Sequence, residues 1–406
     1  MSLPDKRITI IGQGYVGLPL ALAAASSGWE VSGIEIDPDR YSQLSLGSSP
    51  IEGVSDSVIE SLMKSGNYKV ENDFQVLSDS DIIVICVPTP LNEHGMPDLS
   101  ALNSAVGSID KYASKKALII NESTSHPGTL REIIAKPLEQ NVGAERFEYA
   151  VAPERIDPGN SSYNVTNTPR IIGALSDEAL RRASDLYKTF CSQVICVSSP
   201  EVAEFAKLLE NSFRLVNISL VNEISKLTAE LGVDVREVID AATSKPFGFM
   251  PFKPGIGIGG HCIPIDPIYL AAYSRSKGVR QTMVESANRV DESMIPWIIE
   301  KIKRLFPDIH HITVVGIGYK SGSKDTRHSP SIRLINALRE QGYVADWIDS
   351  VVMRYDYEES STGVESQLAI VVSMDEAFDA DDYLNKGRRI MDFSGKIRMQ
   401  EGVFRF

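Results

Sequence analysis

A cysteine lies beside an unusual density of glycine. In PGIGIGGHCIPIDP (254–267), Gly255, Gly257, Gly259 and Gly260 lead into His261 and Cys262, and Asp266 follows four residues on. Glycine loses the most backbone freedom on folding, so such a cluster marks unusual backbone angles or something pressed against the chain. A thiol near its reference pKa of about 8.5 is only slightly ionised at neutral pH, and a neighbouring cation raises the thiolate fraction. Cys262 is therefore a nucleophile or a buried structural cysteine. The bare backbone and Asp266 beside it favour the nucleophile.

Upstream, EVAEFAKLLENSFRLVNISLVNEISKLTAELG contains no Pro or Gly until Gly232. It reads as one helix of about 32 residues, about 48 Å long, which would bridge domains and could contribute to a dimer interface. Ser199 is placed as its cap and Pro200 as its first residue. Lys207, Asn211 and Arg214 recur at i, i+4 and i+7 and share a face. Phe205, Leu208, Leu209 and Val216 cover other directions. The polar triplet is either a solvated stripe or a set of donors for a developing oxyanion.

Near the start, GQGYVG places glycines at Gly12, Gly14 and Gly17. Alone this pattern is weak. Here it follows a β-branched run, opens a small-residue helix and precedes a strand ending in acids. The glycines allow a tight turn, close approach of a pyrophosphate and helix packing, with the helix N-terminus facing the phosphates. Glu35 would take the ribose hydroxyls, which favours NAD over NADP; Asp37 competes for that role, and Arg40 keeps NADP open. A nicotinamide joined to a nucleophilic thiol implies one chemistry. An alcohol is oxidised to an aldehyde, the thiol adds, a second hydride leaves to give a thioester, and water releases a carboxylate.

Strand and helix patterns alternate from Ile8 to about Ser199, which predicts a parallel, doubly wound sheet. The texture returns at HITVVGIGY, where Ser329 is expected to cap a helix, Pro330 to start it and Gly342 to close it. The expected fold class is α/β, with two Rossmann-like domains joined by the long helix and a helical middle domain. The expected boundaries are 1–200, 201–307 and 308–406.

The 406 residues carry a net charge of -13, which argues against nucleic acid as a general partner. No apolar run approaches a membrane span, and the first strand begins too early to leave room for a signal peptide. Four cysteines, Cys86, Cys191, Cys196 and Cys262, form no disulfide framework. Cys86 and Cys196 lie in apolar runs and are expected to be buried. No metal site is expected, and a reduced, cytoplasmic protein is.

The motifs together resemble the nucleotide-sugar 6-dehydrogenases, the UDP-glucose/UDP-N-acetylhexosamine dehydrogenase family. They run in order from about Ile8 to about Lys396: GQGYVG, VPTP (87–90), ESTSHPGT (122–129), PER (153–155), EFAKLLENSFR (204–214), GIGIGGHCIPID (255–266) and GIGYKSGSKDTRHSPS (316–331). The resemblance implies that Cys262 forms the thiohemiacetal and thioester. It implies that Lys207 and Asn211 stabilise the reacting oxygen, that Asp266 assists proton transfer with Lys207 through a water, and that Thr124 and Glu154 activate the hydrolytic water. Gly12, Gly14, Tyr15, Val16, Gly17, Glu35, Arg40, Thr89 and Thr124 would line the NAD site, and Arg327 would reach the NAD phosphates. Tyr319 and Lys320 would hold the UDP-sugar, with Arg155, Ile156, Arg214 and Gly259 on its other side. The glycines before Cys262 would let backbone amides lie against it.

One departure stands out: PERIDPGN places Pro158 where the glucose enzymes carry a second acid, beside Asp157. PER…PG and GGHC look more like the N-acetylhexosamine branch. UDP-N-acetylglucosamine is the favoured substrate, ahead of UDP-N-acetylmannosamine, then UDP-N-acetylgalactosamine and UDP-glucose. His261 would contact the sugar or simply pack. A homodimer or higher homo-oligomer and a place in surface-polysaccharide or O-antigen synthesis are the further expectations. The competing readings are a one-step hydroxyacid dehydrogenase and a non-catalytic nucleotide-sugar binder, neither of which needs Cys262.

Overall fold

The computed structural model describes residues 6–93, 95–113, 116–142, 146–156, 162–363 and 365–406. It divides into two compact units, one ending at Glu210 and the other running from Asn211 to Phe406.

The first unit is built on eight strands: β1 Arg7–Ile11, β2 Glu30–Ile34, β3 Tyr68–Glu71, β4 Ile82–Ile85, β5 Leu118–Asn121, β6 Glu148–Val151, β7 Arg170–Ala174 and β8 Val194–Cys196. Their order across the sheet is β3-β2-β1-β4-β5-β6-β7-β8. β4 shows why these runs are strands. All four residues of IIVI are buried, and they alternate between faces: Ile82 and Val84 enter one core, Ile83 and Ile85 the other. A parallel sheet covered by helices on both sides buries such runs completely. The turn after β1 and the loops after β4, β5 and β6 carry the site residues.

One expectation is corrected. The sheet is not parallel throughout, because β6 and β7 pair antiparallel, with Ala150 opposite Ala174 and Val151 opposite Gly173. A parallel neighbour needs a crossover, usually a helix; among the described residues no helix lies between β6 and β7. Gly173 on β7 admits the start of the long helix, since a Cβ there would lie 2.4 Å from the Ser199 carbonyl oxygen.

The long helix spans Pro200–Leu231, 32 residues, as the sequence predicts. The Ser199 hydroxyl accepts the Val202 N–H at 3.4 Å. In the second unit the rest of this helix is followed by helices Val235–Thr243, Asp266–Ser276, Thr282–Glu292 and Met294–Leu305. A second α/β layer carries β9 His311–Val315, β10 Val344–Ile348, β13 Leu368–Val371, β14 Arg389–Asp392 and β15 Val403–Arg405, all parallel in the order β10-β9-β13-β14-β15. A two-stranded ribbon, β11 Arg354–Tyr355 and β12 Glu358–Glu359, follows β10. Helix Pro330–Glu340 starts and closes as predicted, with Gly342 in the left-handed region at φ 88. Ser329, however, does not cap it. Its hydroxyl donates to the Ile317 carbonyl at 2.7 Å, tying the helix start to the turn after β9.

Cys191 is buried and Cys86 half-buried, but Cys196 is exposed, contrary to expectation. Cys196 ends β8, an edge strand with little covering it. No cysteine is in a disulfide. Among the described residues, no group of three or more His, Cys, Asp or Glu side chains could hold a metal ion. No helix among them is long and apolar enough to cross a membrane.

Candidate active site

The turn after β1 has the geometry of a dinucleotide cradle. Gly12 has φ 94, and a Cβ there would lie 2.4 Å from the Cys86 carbonyl oxygen. A Cβ on Gly17 would lie 1.9 Å from the Gly12 carbonyl oxygen. These two glycines are required by the turn itself. Gly14 is different: a Cβ there would meet only the tip of Arg40, at 3.7 Å. Its bare face is open, which is the demand of a ligand rather than of packing. Glu35, buried at the end of β2, accepts the Gln13 N–H at 3.2 Å and the Asp37 N–H at 2.9 Å. A carboxylate has about four acceptor positions, so capacity remains for a ribose diol. Arg40 approaches Glu35 at 3.7 Å. Asp37 instead caps the helix Pro38–Ser45, accepting the Arg40 N–H at 2.9 Å. Tyr15 and Val16 lead into the helix after the turn, and Thr89 is buried in the loop after β4.

A second group gathers where β5 and β6 end. Thr124 is half-buried in the ESTSHPGT loop. Its neighbours are fixed: Ser123 accepts the Val87 N–H at 2.9 Å, and the Asn121 amide donates to the Ser123 carbonyl at 3.1 Å. Glu154 and Lys207 are both buried and face each other, with Nζ 3.6 Å from Oε2. The Ile156 N–H also donates to Glu154. Lys207 is thus no solvated stripe, whereas Arg214 is exposed and Asn211 half-buried. Arg155 clasps Glu210, with Nη2 at 2.6 Å and Nε at 3.1 Å, and donates to the Pro169 carbonyl at 2.7 Å. Asp157 and Pro158 lie outside the described residues.

In the second unit the cysteine and the aspartate share one turn. The Cys262 carbonyl accepts the Asp266 N–H at 2.8 Å, and Asp266 opens the helix Asp266–Ser276, where an anion is favourable. The buried Asp266 carboxylate accepts the Asn211 amide at 2.5 Å. The backbone turn sets the half-buried Cys262 four residues before a carboxylate that is bonded to a primary amide, residue types suited to nucleophilic addition with local proton transfer.

Two of the glycines before Cys262 are pressed by protein neighbours, and the amides of Gly255 and Gly260 are paired within the chain. A Cβ on Gly259 would lie 2.8 Å from Pro330 Cδ and 3.1 Å from Tyr319 Cβ; one on Gly260 would lie 3.1 Å from the Tyr319 ring. The Gly255 N–H goes to Asn222 at 2.9 Å, that of Ile258 to Asp291 at 2.6 Å, and that of Gly260 to the Arg327 carbonyl at 3.2 Å. The same packing places Tyr319 beside the cysteine loop. Lys320 lies in the next turn, and the exposed Arg327 side chain is held by Asp325, with Nη2 at 2.6 Å. The His261 pKa is lowered by burial and then by the neighbouring charges of Arg327 and His328.

Three family models match the chain in sequence. They are the NAD binding domain (residues 6–191), the central domain (201–293) and the UDP binding domain (313–384) of the UDP-glucose/GDP-mannose dehydrogenase family. A UDP-N-acetyl-D-mannosamine dehydrogenase of Methanocaldococcus jannaschii is 33% identical over 397 residues, covering 95% of this chain and 90% of its own. The chain belongs to the UDP-glucose/GDP-mannose dehydrogenase family. It is an NAD-dependent UDP-sugar dehydrogenase of α/β fold. A UDP-N-acetyl-D-glucosamine 6-dehydrogenase of Pseudomonas aeruginosa is 29% identical over 378 residues, with 90% and 88% covered. A solved UDP-D-ManNAc dehydrogenase of Pyrococcus horikoshii superposes with a TM-score of 0.89 at 31% identity, over 98% of each chain.

Some residues that build this dehydrogenase's site escape a reading of motifs. Asp291 and Arg333 clamp Ile258 from both sides, Asp291 at its N–H and Arg333 at its carbonyl (3.1 Å). Gln13 is fully buried and bonds the Ile10 carbonyl and the Tyr68 hydroxyl, fixing the glycine turn. Glu204 accepts two amides at the end of the ESTSHPGT loop. Its available signal was register: it falls with Leu208 and Leu215 on the buried side of its helix.

Proposed function

We propose that this enzyme oxidises the C6 hydroxymethyl of a UDP-N-acetylhexosamine to the carboxylate, through a covalent intermediate on Cys262. The observation that carries the reading is the Cys262–Asp266–Asn211 turn, because a one-step alcohol dehydrogenase has no use for the thiol. The open face of Gly14 and the spare acceptors of Glu35 suit NAD. When bound, it supplies the hydride acceptor for each of two oxidations.

The chain's own residues do the rest. Lys207 and Asn211 donate to the oxygen at C6 and stabilise the charge it develops. The Cys262 sulfur adds to the aldehyde carbon, and the carbonyl oxygen takes up a proton to give the thiohemiacetal. Asp266 assists proton transfer at this oxygen. Once the thiohemiacetal is oxidised, the carbon is a thioester. Water, oriented by Thr124 and deprotonated with the help of Glu154, attacks it; the C–S bond breaks and Cys262 leaves as thiolate. Arg327 reaches the NAD phosphates. Tyr319, Lys320, Arg155, Ile156, Arg214 and Gly259 hold the sugar nucleotide.

The relatives support an N-acetylated hexosamine; a mannosamine enzyme is 33% identical and a glucosamine enzyme 29%, which supports proposing UDP-N-acetyl-D-mannosamine ahead of the glucosamine epimer favoured by the sequence. The uronic acid would serve an acidic surface polysaccharide, and the setting would be the cytoplasm, where Cys262 stays reduced. We further propose a homodimer formed through the long helix. Phe213, Leu220, Ile224, Leu227 and Leu231 form an exposed stripe at helical spacing, Leu220 52% and Leu231 67% accessible. A helix leaves such a stripe bare when a second copy covers it.

The deciding experiment is the NADH yield at completion with limiting UDP-N-acetylmannosamine, UDP-N-acetylglucosamine, UDP-N-acetylgalactosamine and UDP-glucose. Two NADH per sugar from an N-acetylhexosamine is expected. One NADH per sugar refutes the thioester route, and a preference for UDP-glucose refutes the substrate class.

A further inference from the structure

Glu204 stands one helical turn before Lys207, with its side chain turned inward and only 2% of the residue exposed. Burying a carboxylate is costly unless hydrogen bonds hold it. Two do: the Gly128 N–H at 2.6 Å and the Leu130 N–H at 2.9 Å. These amides open the helical segment Leu130–Ala135, whose first N–H groups have no partner within the helix. Glu204 therefore serves as an N-terminal cap supplied by a distant element, 74 residues from Leu130 in sequence.

The capped segment is the far end of the loop that carries Thr124. The near end is tied to the loops after β4 and β5 through Ser123, Val87 and Asn121. Between these fixed points lies Thr124, half-buried. Glu204 fixes the far end to the same stretch of helix from which Lys207 reaches Glu154 at 3.6 Å. The charged groups beside Glu204 are Glu201 and Arg131, which pair with each other at 3.0 Å. Arg131 is thereby engaged by Glu201, and the Glu204 carboxylate keeps the two amides.

We propose that Glu204 is a positioning residue for hydrolysis of the thioester: it holds the Thr124 loop in register with Lys207 and Glu154, so that the attacking water meets the acyl carbon. This rests on the thioester reading above. Glu204 touches neither substrate nor water; it acts through the loop it caps. Loosening the cap lets Thr124 drift while leaving the cradle of Gly12, Gly14 and Glu35, and the turn of Cys262, as they are. The two hydride transfers then proceed and release of the acid lags.

The test compares Glu204→Gln with wild type. Gln keeps the volume and one acceptor but turns an amide group toward one of the two N–H donors. NAD and UDP-sugar dissociation constants are expected within about twofold of wild type, while kcat falls about 10- to 100-fold, the usual cost of a small misplacement. Acid quenching in the steady state, followed by intact mass of the chain, is expected to show sugar-acyl adduct accumulated on Cys262. Glu204→Asp, which keeps the charge but shortens the reach, is the second variant and should accumulate the same adduct. A kcat within about twofold of wild type in a folded variant overturns the inference. So does a slow variant with no excess adduct, or one whose ligand binding weakens in step with kcat. Wild type is run alongside: if it fails to give two NADH per sugar, the thioester reading falls and this inference with it. If wild type gives two and the variants behave as wild type, the inference alone falls.

Discussion

Removing the arginine from a deeply buried ion pair of the first unit should be costly, and the cost should depend on pH. Arg170 on β7 and Glu122 after β5 are 3% and 1% exposed, with Nη1 3.1 Å from Oε2. The same nitrogen reaches toward the Pro153 carbonyl at 3.5 Å, the Tyr187 hydroxyl donates to Glu122, and the guanidinium lies 5.1 Å from the centre of the Tyr187 ring. Arg170→Met leaves a buried carboxylate with one neutral donor. Breaking such a pair costs about 3–5 kcal/mol. For a unit of this size each kcal/mol moves the melting temperature by about 2–4 °C, so a drop on the order of 10 °C is expected by calorimetry at pH 8. Burial already raises the Glu122 carboxyl, with Arg170 the main opposing influence. Without Arg170 the folded-state pKa rises further above the unfolded value. The penalty is then full at high pH and is relieved as pH falls through the folded pKa, so the deficit should shrink toward pH 5. Adding Glu122→Gln should recover part of the loss, giving a coupling of about 1 kcal/mol or more. A deficit below about 1 kcal/mol, or one equal at both pH values, would refute the reasoning.

Other expectations follow from single contacts. Gly14→Ala should leave stability unchanged, because its Cβ meets nothing closer than 3.7 Å, yet weaken NAD binding about tenfold or more in a fluorescence titration. Unaltered affinity would show that the bare face is not for the cofactor. Burial raises the Glu204 carboxyl from 4.5 to about 7, so its ionisation works against folding. Wild type should lose on the order of 3 kcal/mol as pH rises from 5 to 8, a slope that Glu204→Gln should lack in urea melts. Identical slopes would remove Glu204 as the cause. Leu220→Glu should leave a monomer in sedimentation velocity; a persisting dimer would mean that another surface joins the copies.

Much of this architecture is legible in the sequence because the constraint is local. The glycine turn needs residues without Cβ at Gly12 and Gly17, and no other residue type satisfies contacts of 2.4 and 1.9 Å. The long helix announces itself by Ser199, Pro200 and the absence of a breaker before Gly232. What escapes is set by partners distant in sequence. The β-branched run of β7 reads the same in either direction, and its reversal comes from the connection before it. Glu204 has the look of a surface residue until the amides of Gly128 and Leu130 are found against it. The glycines before Cys262 suggest a ligand, but Tyr319 and Pro330, more than fifty residues later, press on Gly259 and Gly260.

The second sheet repeats the plan of the first, and lone-pair arithmetic separates their fates. Asp349, at the end of β10, stands where Glu35 stands at the end of β2, each against the turn that follows the neighbouring strand. One Asp349 oxygen accepts the amides of Ile317 and Gly318, at 2.9 and 3.3 Å, and the other those of Val351 and Val352, at 2.9 and 2.8 Å. Four donors saturate a carboxylate. Nothing remains to receive a ribose diol, so the second sheet has exchanged a dinucleotide's handle for a staple that closes its own turn. Each chain should then titrate with one equivalent of NAD. Restoring a second would mean freeing Asp349 from all four amides, at the expense of the turn they hold.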